Sequence, residues 1–170
     1  FKELIKNSSQ ANVYICGAIT KGRYGEELTG IAKLKNEGVV AISDDGASVD
    51  NEGLLLKALL EAKEHKLLAI CHCEDKKLSN RGVMNLGLIS TRLGLRGISR
   101  DSEYKRVERD VLLAERSSSP IHITHVSCKE SVELIARAKK KAVKVTCDSA
   151  PHYFSLTEEA LLDYDTNMKM

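Results

Sequence analysis

The sequence predicts an α/β fold built on a parallel sheet, and two patterns indicate it. Short apolar runs alternate with amphipathic helical patterns along the chain; the runs span residues 12–19, 38–43, 66–73, 120–126 and 142–148. These runs are continuously apolar, which is typical of strands buried on both faces, as parallel sheets require. Strands alternating with helices therefore predict βα units that share one sheet.

Amphipathic segments fill the intervals between these strands. Helices are predicted over 26–37, 51–65, 102–116 and 127–142. The second helix carries an apolar stripe formed by Leu55, Ala58, Leu59 and Ala62. The stripe predicted for the last helix consists of Val132, Ile135 and Ala136. Each stripe predicts the face that packs on the sheet.

Local signals indicate where some of these helices begin and end. Gly38 follows the first helix, where a left-handed residue is favoured. Ser127 and Glu130 have the spacing of a capping box, which predicts that the last helix begins directly after its strand. Residues 74–99 are longer than a typical loop between strand and helix, so we predict a loop or insert over the site.

Composition excludes several classes of protein. The 170 residues are 42% hydrophobic and 29% charged, which predicts one globular domain over residues 1–170, or part of a larger one. No apolar run approaches the roughly 20 residues of a membrane span. The net charge of +2 is too small and too dispersed to predict nucleic-acid binding. Neither membrane nor nucleic-acid partners are therefore expected.

The cysteines predict a reduced, cytoplasmic protein. Five cysteines are scattered through apolar runs, which does not resemble a disulfide framework, and we expect them to be small buried side chains. Cys71 and Cys73 flank His72 without the spacing of a structural zinc pair. His72, rather than either of the two thiols that flank it, is therefore the candidate functional residue of this segment.

Three polar residues each follow a different predicted strand. Asp45 comes after the second strand, His72 ends the third and His125 ends the fourth. The carboxyl ends of parallel strands converge on the site in α/β folds. One carboxylate and two imidazoles suit zinc or another divalent metal, which would lower the pKa of bound water to about 7. Taken alone, each residue could also have a structural role instead of binding metal. A strand-end histidine is commonly hydrogen-bonded, and Asp44-Asp45-Gly46 is typical of a turn.

Other candidates for the pocket are secondary. His122 precedes His125 by three residues, and strand alternation would put the two on opposite faces, so His122 is interpreted as packing or as support for the site. Asp148 also lies at a strand end. His152 follows Pro151 and has a capping or loop role as its alternative.

Four segments together resemble one family. They are ISDDGASVDN, CHCEDKKLS, ITHVSCKESVELIARAK and VTCDSAPHYFSLTEEAL, and in this order they resemble the middle of class I dihydroorotases of the amidohydrolase superfamily. The resemblance implies part of a TIM-type (β/α)8 barrel, about strands three to seven. It also implies a cytoplasmic zinc enzyme of de novo pyrimidine (UMP) biosynthesis that interconverts (S)-dihydroorotate and N-carbamoyl-L-aspartate.

The resemblance assigns roles to the three strand-end residues. Asp45 matches the carboxylate that bridges two metals, while His72 and His125 match the histidines of the second metal. A metal-bound hydroxide would then attack the ring amide. The resemblance further implies a possible homodimer and a possible association with aspartate transcarbamoylase.

The sequence also departs from the family pattern. The His-x-His pair of the first strand, the substrate-binding Asn loop and the aspartate of the last strand that acts as general base are not found in residues 1–170. By this mapping strands one, two and eight lie outside the sequence, so these residues alone are expected to be inactive. Two alternatives stay open: a hydantoinase-like or allantoinase-like cyclic amidohydrolase, in which a lysine would replace Asp45, and a noncatalytic scaffold subunit.

Overall fold

A five-stranded parallel sheet organises the chain, in a computed structural model that describes residues 1–168. The strands are β1 (Cys16–Gly17), β2 (Ala41–Ser43), β3 (Leu68–Cys71), β4 (Met84–Asn85), β5 (Gly97–Ile98), β6 (Ile121–Ile123) and β7 (Val145–Cys147). The main sheet has the order β1-β2-β3-β6-β7, with every neighbouring pair parallel. Chain order equals spatial order, as in a section of a (β/α)8 barrel, so the predicted fold class is confirmed.

Helices connect these strands. They are α1 (Lys2–Ser8), α2 (Ile31–Asn36), α3 (Glu52–Glu64), α4 (Lys76–Ser79), α5 (Leu88–Leu93), α6 (Asp101–Ser117), α7 (Lys129–Lys140) and α8 (Pro151–Ser155). Short 3-10 turns lie at Lys21–Arg23, Glu158–Leu161 and Thr166–Met168. Gly38 has a φ of 82° just past α2, as predicted. Among the described residues, no helix has the length and apolar character needed to cross a membrane.

The hydrophobic core lies between one face of the sheet and helices α3, α6 and α7. Helix α3 buries the whole predicted stripe of Leu55, Ala58, Leu59 and Ala62. On the sheet, the side chains that face these helices include Ile42, Ala69, Ile121, Ile123 and Val145, each at most 4% exposed. Burying each large aliphatic side chain contributes about 1.5–3 kcal/mol, so this layer accounts for much of the stability of the sheet.

Burial of the strands differs from the prediction. On the second face of the sheet Ile70, His122 and Thr146 are half-buried or exposed, so β3 and β6 are fully buried on one face only. The strands are also shorter than the apolar runs. The cysteines also differ in exposure, because Cys71 and Cys73 are buried while Cys16 and Cys147, on the two edge strands of the main sheet, are exposed. Expecting mostly buried cysteines was therefore wrong for these two.

Helix α7 begins differently from the prediction. Its N-cap is Cys128, and Ser127 instead donates its hydroxyl and backbone N–H to the Glu103 carboxylate on α6. Glu130 pairs with Arg100, at 2.9 Å. The predicted capping box is therefore wrong, because Glu103 of α6 and Arg100, the residue before α6, pair with its two members.

The buried stripe of α7 is also displaced. Val132 is 55% exposed and Ala136 is exposed, while Ser131, Ile135 and Ala138 are buried. Of the predicted stripe only Ile135 is correct. The i, i+4, i+7 spacing of the observed stripe is as helical as the predicted one, and contact with α6 selects between the two faces.

Residues 74–99 fold into short elements. They contain α4 and α5 and the two-stranded parallel sheet of β4 and β5. The Glu158 carboxylate approaches the start of α5, accepting a hydrogen bond from the Ile89 backbone N–H at 3.4 Å. The segment is thus a small folded insert between β3 and α6, and its role over the site stays a prediction.

Candidate metal centre

Three side chains from different βα units meet at the carboxyl ends of the strands. His72 Nδ1 lies 2.9 Å from His125 Nε2 and 3.2 Å from Asp45 Oδ1. His125 Nε2 lies 3.4 Å from the same Asp45 oxygen. The structure therefore brings together all three residues that the sequence predicted as metal ligands, with one donor atom from each within 3.4 Å of the other two.

Strand register explains two of the three positions. The pairing places Ser43 beside Ile70 and Ile70 beside His122 in one row across the sheet. His72 directly follows β3 and continues its alternation on the face of Ile70, whereas Asp45 lies in the turn two residues past the end of β2. Parallel pairing brings the ends of β2 and β3 side by side, and the turn after β2 carries the Asp45 carboxylate to His72.

His125 reaches the centre by a different route. It lies three residues after His122, so extended backbone would aim its ring at the opposite face. The strand ends at Ile123, however, and His125 has a φ of 45°. This left-handed conformation costs a residue with a side chain roughly 1 kcal/mol, and it removes the alternation on which the prediction of opposite faces depended. Strand alternation does not extend to His125 because β6 is shorter than its apolar run, and that His122 and His125 do not share one metal stays a prediction.

The donor set fits a divalent metal. For zinc at about 2.0–2.1 Å from nitrogen, neighbouring donors of a tetrahedral ion lie about 3.3 Å apart. The three observed separations of 2.9, 3.2 and 3.4 Å scatter around that value. Two imidazoles with one carboxylate also match the ligand preference of zinc. Three protein donors leave a coordination position for water, as catalytic sites require.

Glu74 contacts the second nitrogen of His72, and the prediction did not include it. His72 Nε2 lies 3.4 Å from Glu74 Oε2, on the side of the ring away from the donor group. A carboxylate there favours a proton on Nε2 and leaves Nδ1 free to bind a cation. The position of Glu74 two residues after a strand-end histidine was the available sequence signal.

Asp44 supports the turn that carries Asp45. Its carboxylate is 3% exposed and accepts hydrogen bonds from the backbone N–H groups of Ile19, at 2.8 Å, and Thr20, at 3.1 Å. The Thr20 hydroxyl donates to the second oxygen. Asp44 therefore joins the end of β2 to the chain that follows β1. The sequence prediction treated this residue only as part of a turn.

Arg23 and Gly46 shape the other side of the same turn. The Arg23 guanidinium donates to the Asp45 carbonyl oxygen at 2.6 Å. Gly46 has a φ of 78°, a conformation that glycine adopts without the steric cost of a side chain. The Arg23 hydrogen bond and the left-handed conformation of Gly46 orient the backbone of Asp45, while its carboxylate lies against the two histidines.

Asp148 and His122, both secondary candidates, form a hydrogen-bonded pair beside the centre. His122 Nε2 lies 2.8 Å from Asp148 Oδ2, and His122 Nδ1 lies 2.7 Å from Thr146 Oγ1. The other Asp148 oxygen accepts from the His125 backbone N–H at 2.6 Å. Burial raises the pKa of Asp148, but the hydrogen bonds it accepts, first of all from His122, outweigh burial and lower the pKa below its ordinary value.

His152 lies apart from the donor group. Within residues 1–168 that group consists of Asp45, His72 and His125. His152 lies in α8 and its ring meets Tyr153 edge-on, with centroids 4.1 Å apart. The structure gives it a local packing contact.

A buried charge pair lies under the sheet close to His72. Asp110 on α6 receives hydrogen bonds from Arg109, through Nε at 2.8 Å, and from the Cys73 thiol at 3.4 Å. Burial raises the pKa of Asp110 above its ordinary value despite the guanidinium beside it. Burial likewise raises the pKa values of the Cys71 and Cys73 thiols well above the ordinary value.

Known proteins resemble this chain in sequence. The family described as Dihydro-orotase-like matches residues 1–131. The dihydroorotase of Elusimicrobium minutum is 48% identical over 169 residues, which cover 99% of this chain and 39% of that protein. The dihydroorotase of Caldicellulosiruptor saccharolyticus is 52% identical over 162 residues, covering 95% and 38%. The chain thus spans about two fifths of the length of these curated relatives.

Solved structures resemble it in fold. A D-hydantoinase structure matches with a TM-score of 0.61 and 26% identity, covering 79% of this chain and 31% of that one. The L-hydantoinase (dihydropyrimidinase) from Arthrobacter aurescens matches with a TM-score of 0.70 and 18% identity, covering 91% and 36%. The second match shows the fold alone. With its sequence matches and its parallel sheet, this chain belongs to the dihydroorotase-like family of the amidohydrolase superfamily.

Proposed function

We propose that this chain is the central part of a zinc-dependent dihydroorotase, a cytoplasmic enzyme of UMP biosynthesis. The observation that carries the proposal is the convergence of Asp45, His72 and His125 in a chain about half identical to dihydroorotases. The reaction adds water across the ring amide of (S)-dihydroorotate. The water oxygen joins the carbonyl carbon, the carbon–nitrogen bond breaks, and a proton goes to the nitrogen, giving N-carbamoyl-L-aspartate.

The three donors would hold the metal through Asp45 Oδ1, His72 Nδ1 and His125 Nε2. A divalent ion bound there acts as a Lewis acid and lowers the pKa of a water ligand from 15.7 to about 7. His72 contributes a neutral ring whose remaining proton faces Glu74. Asp45 is the most exposed of the three, with a side chain 66% exposed, and its second oxygen would be accessible to a further cation.

We infer that the rest of the active site comes from sequence outside these residues. The relatives are more than twice as long as this chain. The face of the sheet that carries Ile70 and His122 is incompletely covered, as for part of a barrel whose other strands complete the interior. The general base and further metal ligands are therefore expected elsewhere in the full-length protein, and residues 1–170 alone are expected to be inactive.

Substitution of His72 in the full-length protein tests the proposal. His72→Ala removes the least exposed of the three donors, so we expect loss of bound zinc and a fall in dihydroorotate turnover of about 100-fold or more. Metal content is measured by mass spectrometry and turnover by ultraviolet absorbance. His65→Ala, at the C-terminal end of α3, is the matched control and should retain both. Full metal content with full turnover in His72→Ala would refute the assignment.

A hydantoinase-like activity is the second candidate, because a D-hydantoinase structure shares the fold at 26% identity. A panel of dihydroorotate, hydantoin and allantoin on the full-length protein separates the two. Turnover of hydantoin without turnover of dihydroorotate would reverse the ranking. A zinc-free protein that turns over none of the three and binds aspartate transcarbamoylase would favour the noncatalytic scaffold.

A further inference from the structure

We propose that Asp148 is a positioning residue that holds His125 in the conformation needed to reach the metal centre. The inference rests on the proposed function of Asp45, His72 and His125 as metal ligands. It assigns to Asp148 a task distinct from coordination. Asp148 would act on the metal only through the backbone and side chains of its neighbours.

The first observation is the unusual backbone of His125. Its φ of 45° directs the ring back towards His72, whose Nδ1 lies 2.9 Å from His125 Nε2. Left-handed backbone is unfavourable for residues with a side chain and persists where the surrounding structure enforces it. Contacts at His125 and at the residues that flank it can enforce this conformation.

The second observation is that Asp148 binds the bend directly. Its Oδ1 accepts the His125 backbone N–H at 2.6 Å. The backbones on both sides of His125 are paired with Asp148 as well, because the Asp148 N–H donates to Ile123 and its carbonyl oxygen accepts from the Val126 N–H. Residues 123–126 are therefore attached at three points around the bend to Asp148, the residue directly after β7.

The third observation is that the carboxylate itself is fixed. His122 contacts Asp148 Oδ2 at 2.8 Å and is in turn held by the Thr146 hydroxyl at 2.7 Å. The Thr124 hydroxyl donates to the same oxygen at 3.2 Å. With its second oxygen occupied, the first can stay aimed at the His125 amide.

Metal affinity in the full-length protein tests this inference. Asp148→Ala removes every hydrogen bond that the Asp148 carboxylate accepts, and we expect the dissociation constant for added Co²⁺ to rise about 10- to 100-fold, with a changed visible absorption spectrum. Asp148→Asn retains one acceptor oxygen and should weaken binding less. Asp163→Ala, an exposed aspartate after α8, is the control and should bind as the parent does.

A crystal structure of the metal-free Asp148→Ala variant gives a second readout. We expect the distance between His72 Nδ1 and His125 Nε2 to increase from 2.9 Å beyond hydrogen-bonding range. Parent-like Co²⁺ affinity in Asp148→Ala, or an unchanged His125 in that crystal structure, would overturn the inference. Failure of the parent to turn over dihydroorotate would refute the proposed activity while leaving both readouts intact.

Discussion

Replacing Asp44 by alanine should destabilise the protein through three buried donors. The substitution leaves the N–H groups of Ile19 and Thr20 and the Thr20 hydroxyl without their carboxylate acceptor. Each buried group that loses its partner costs about 1–3 kcal/mol. Allowing for water that enters the space vacated by the carboxylate, we expect the free energy of unfolding to fall by about 3–6 kcal/mol. Asp44→Asn keeps one acceptor oxygen and should cost less.

Urea unfolding in the presence of a chelator, followed by circular dichroism, measures this loss without a contribution from bound metal. The neighbouring Asp45→Ala is the matched control, because its carboxylate is exposed and its removal should change the free energy of unfolding by about 0.5 kcal/mol or less. The two variants should therefore separate stability from metal binding within one turn. A decrease of less than about 1 kcal/mol in the free energy of unfolding of Asp44→Ala would refute the claim that three buried donors lose their acceptor.

Two further predictions follow from pKa values that burial raises. Because the pKa of Asp110 lies above its ordinary 3.8, the folded state keeps a proton that the unfolded state loses, and rising pH through that window lowers the free energy of unfolding. Asp110→Asn should lack this loss, so its free energy of unfolding relative to that of the parent should increase from about pH 3.5 upwards. The same dependence of the free energy of unfolding on pH in both proteins, measured by urea unfolding, would contradict this. Cys71 and Cys73 should resist iodoacetamide at pH 8 in the native protein and react after unfolding, as peptide mass spectrometry would show. Modification of either thiol in the folded protein would be the contrary result.

Much of the fold could be predicted because the signals are local. The stripe of α3 was correct in all four residues, since the spacing of Leu55, Ala58, Leu59 and Ala62 allows one helical face. Helix α7 allowed two faces of similar apolar character, and packing on α6 decided between them. Strand lengths were overestimated because an apolar run indicates burial, whereas a strand ends where its pairing ends.

The site was predictable in its residue types and only partly in its geometry. Strand ends identified Asp45, His72 and His125, because parallel pairing brings those ends together. The left-handed backbone at His125 is hydrogen-bonded to the carboxylate of Asp148, 23 residues further along the chain, so no local pattern could indicate it. Asp44 was missed for a similar reason, since its role appears only when β1 lies beside β2.

The three donors lie at graded depths, with side-chain exposures of 66% for Asp45, 37% for His125 and 16% for His72. A hydrated cation entering from solvent would meet the oxygen donor first, then the outer imidazole, and last the inner one. Its water shell could thus be exchanged stepwise, with charge attraction preceding the nitrogen bonds. The three residues would then bind the cation in order of decreasing exposure, first Asp45, then His125 and last His72.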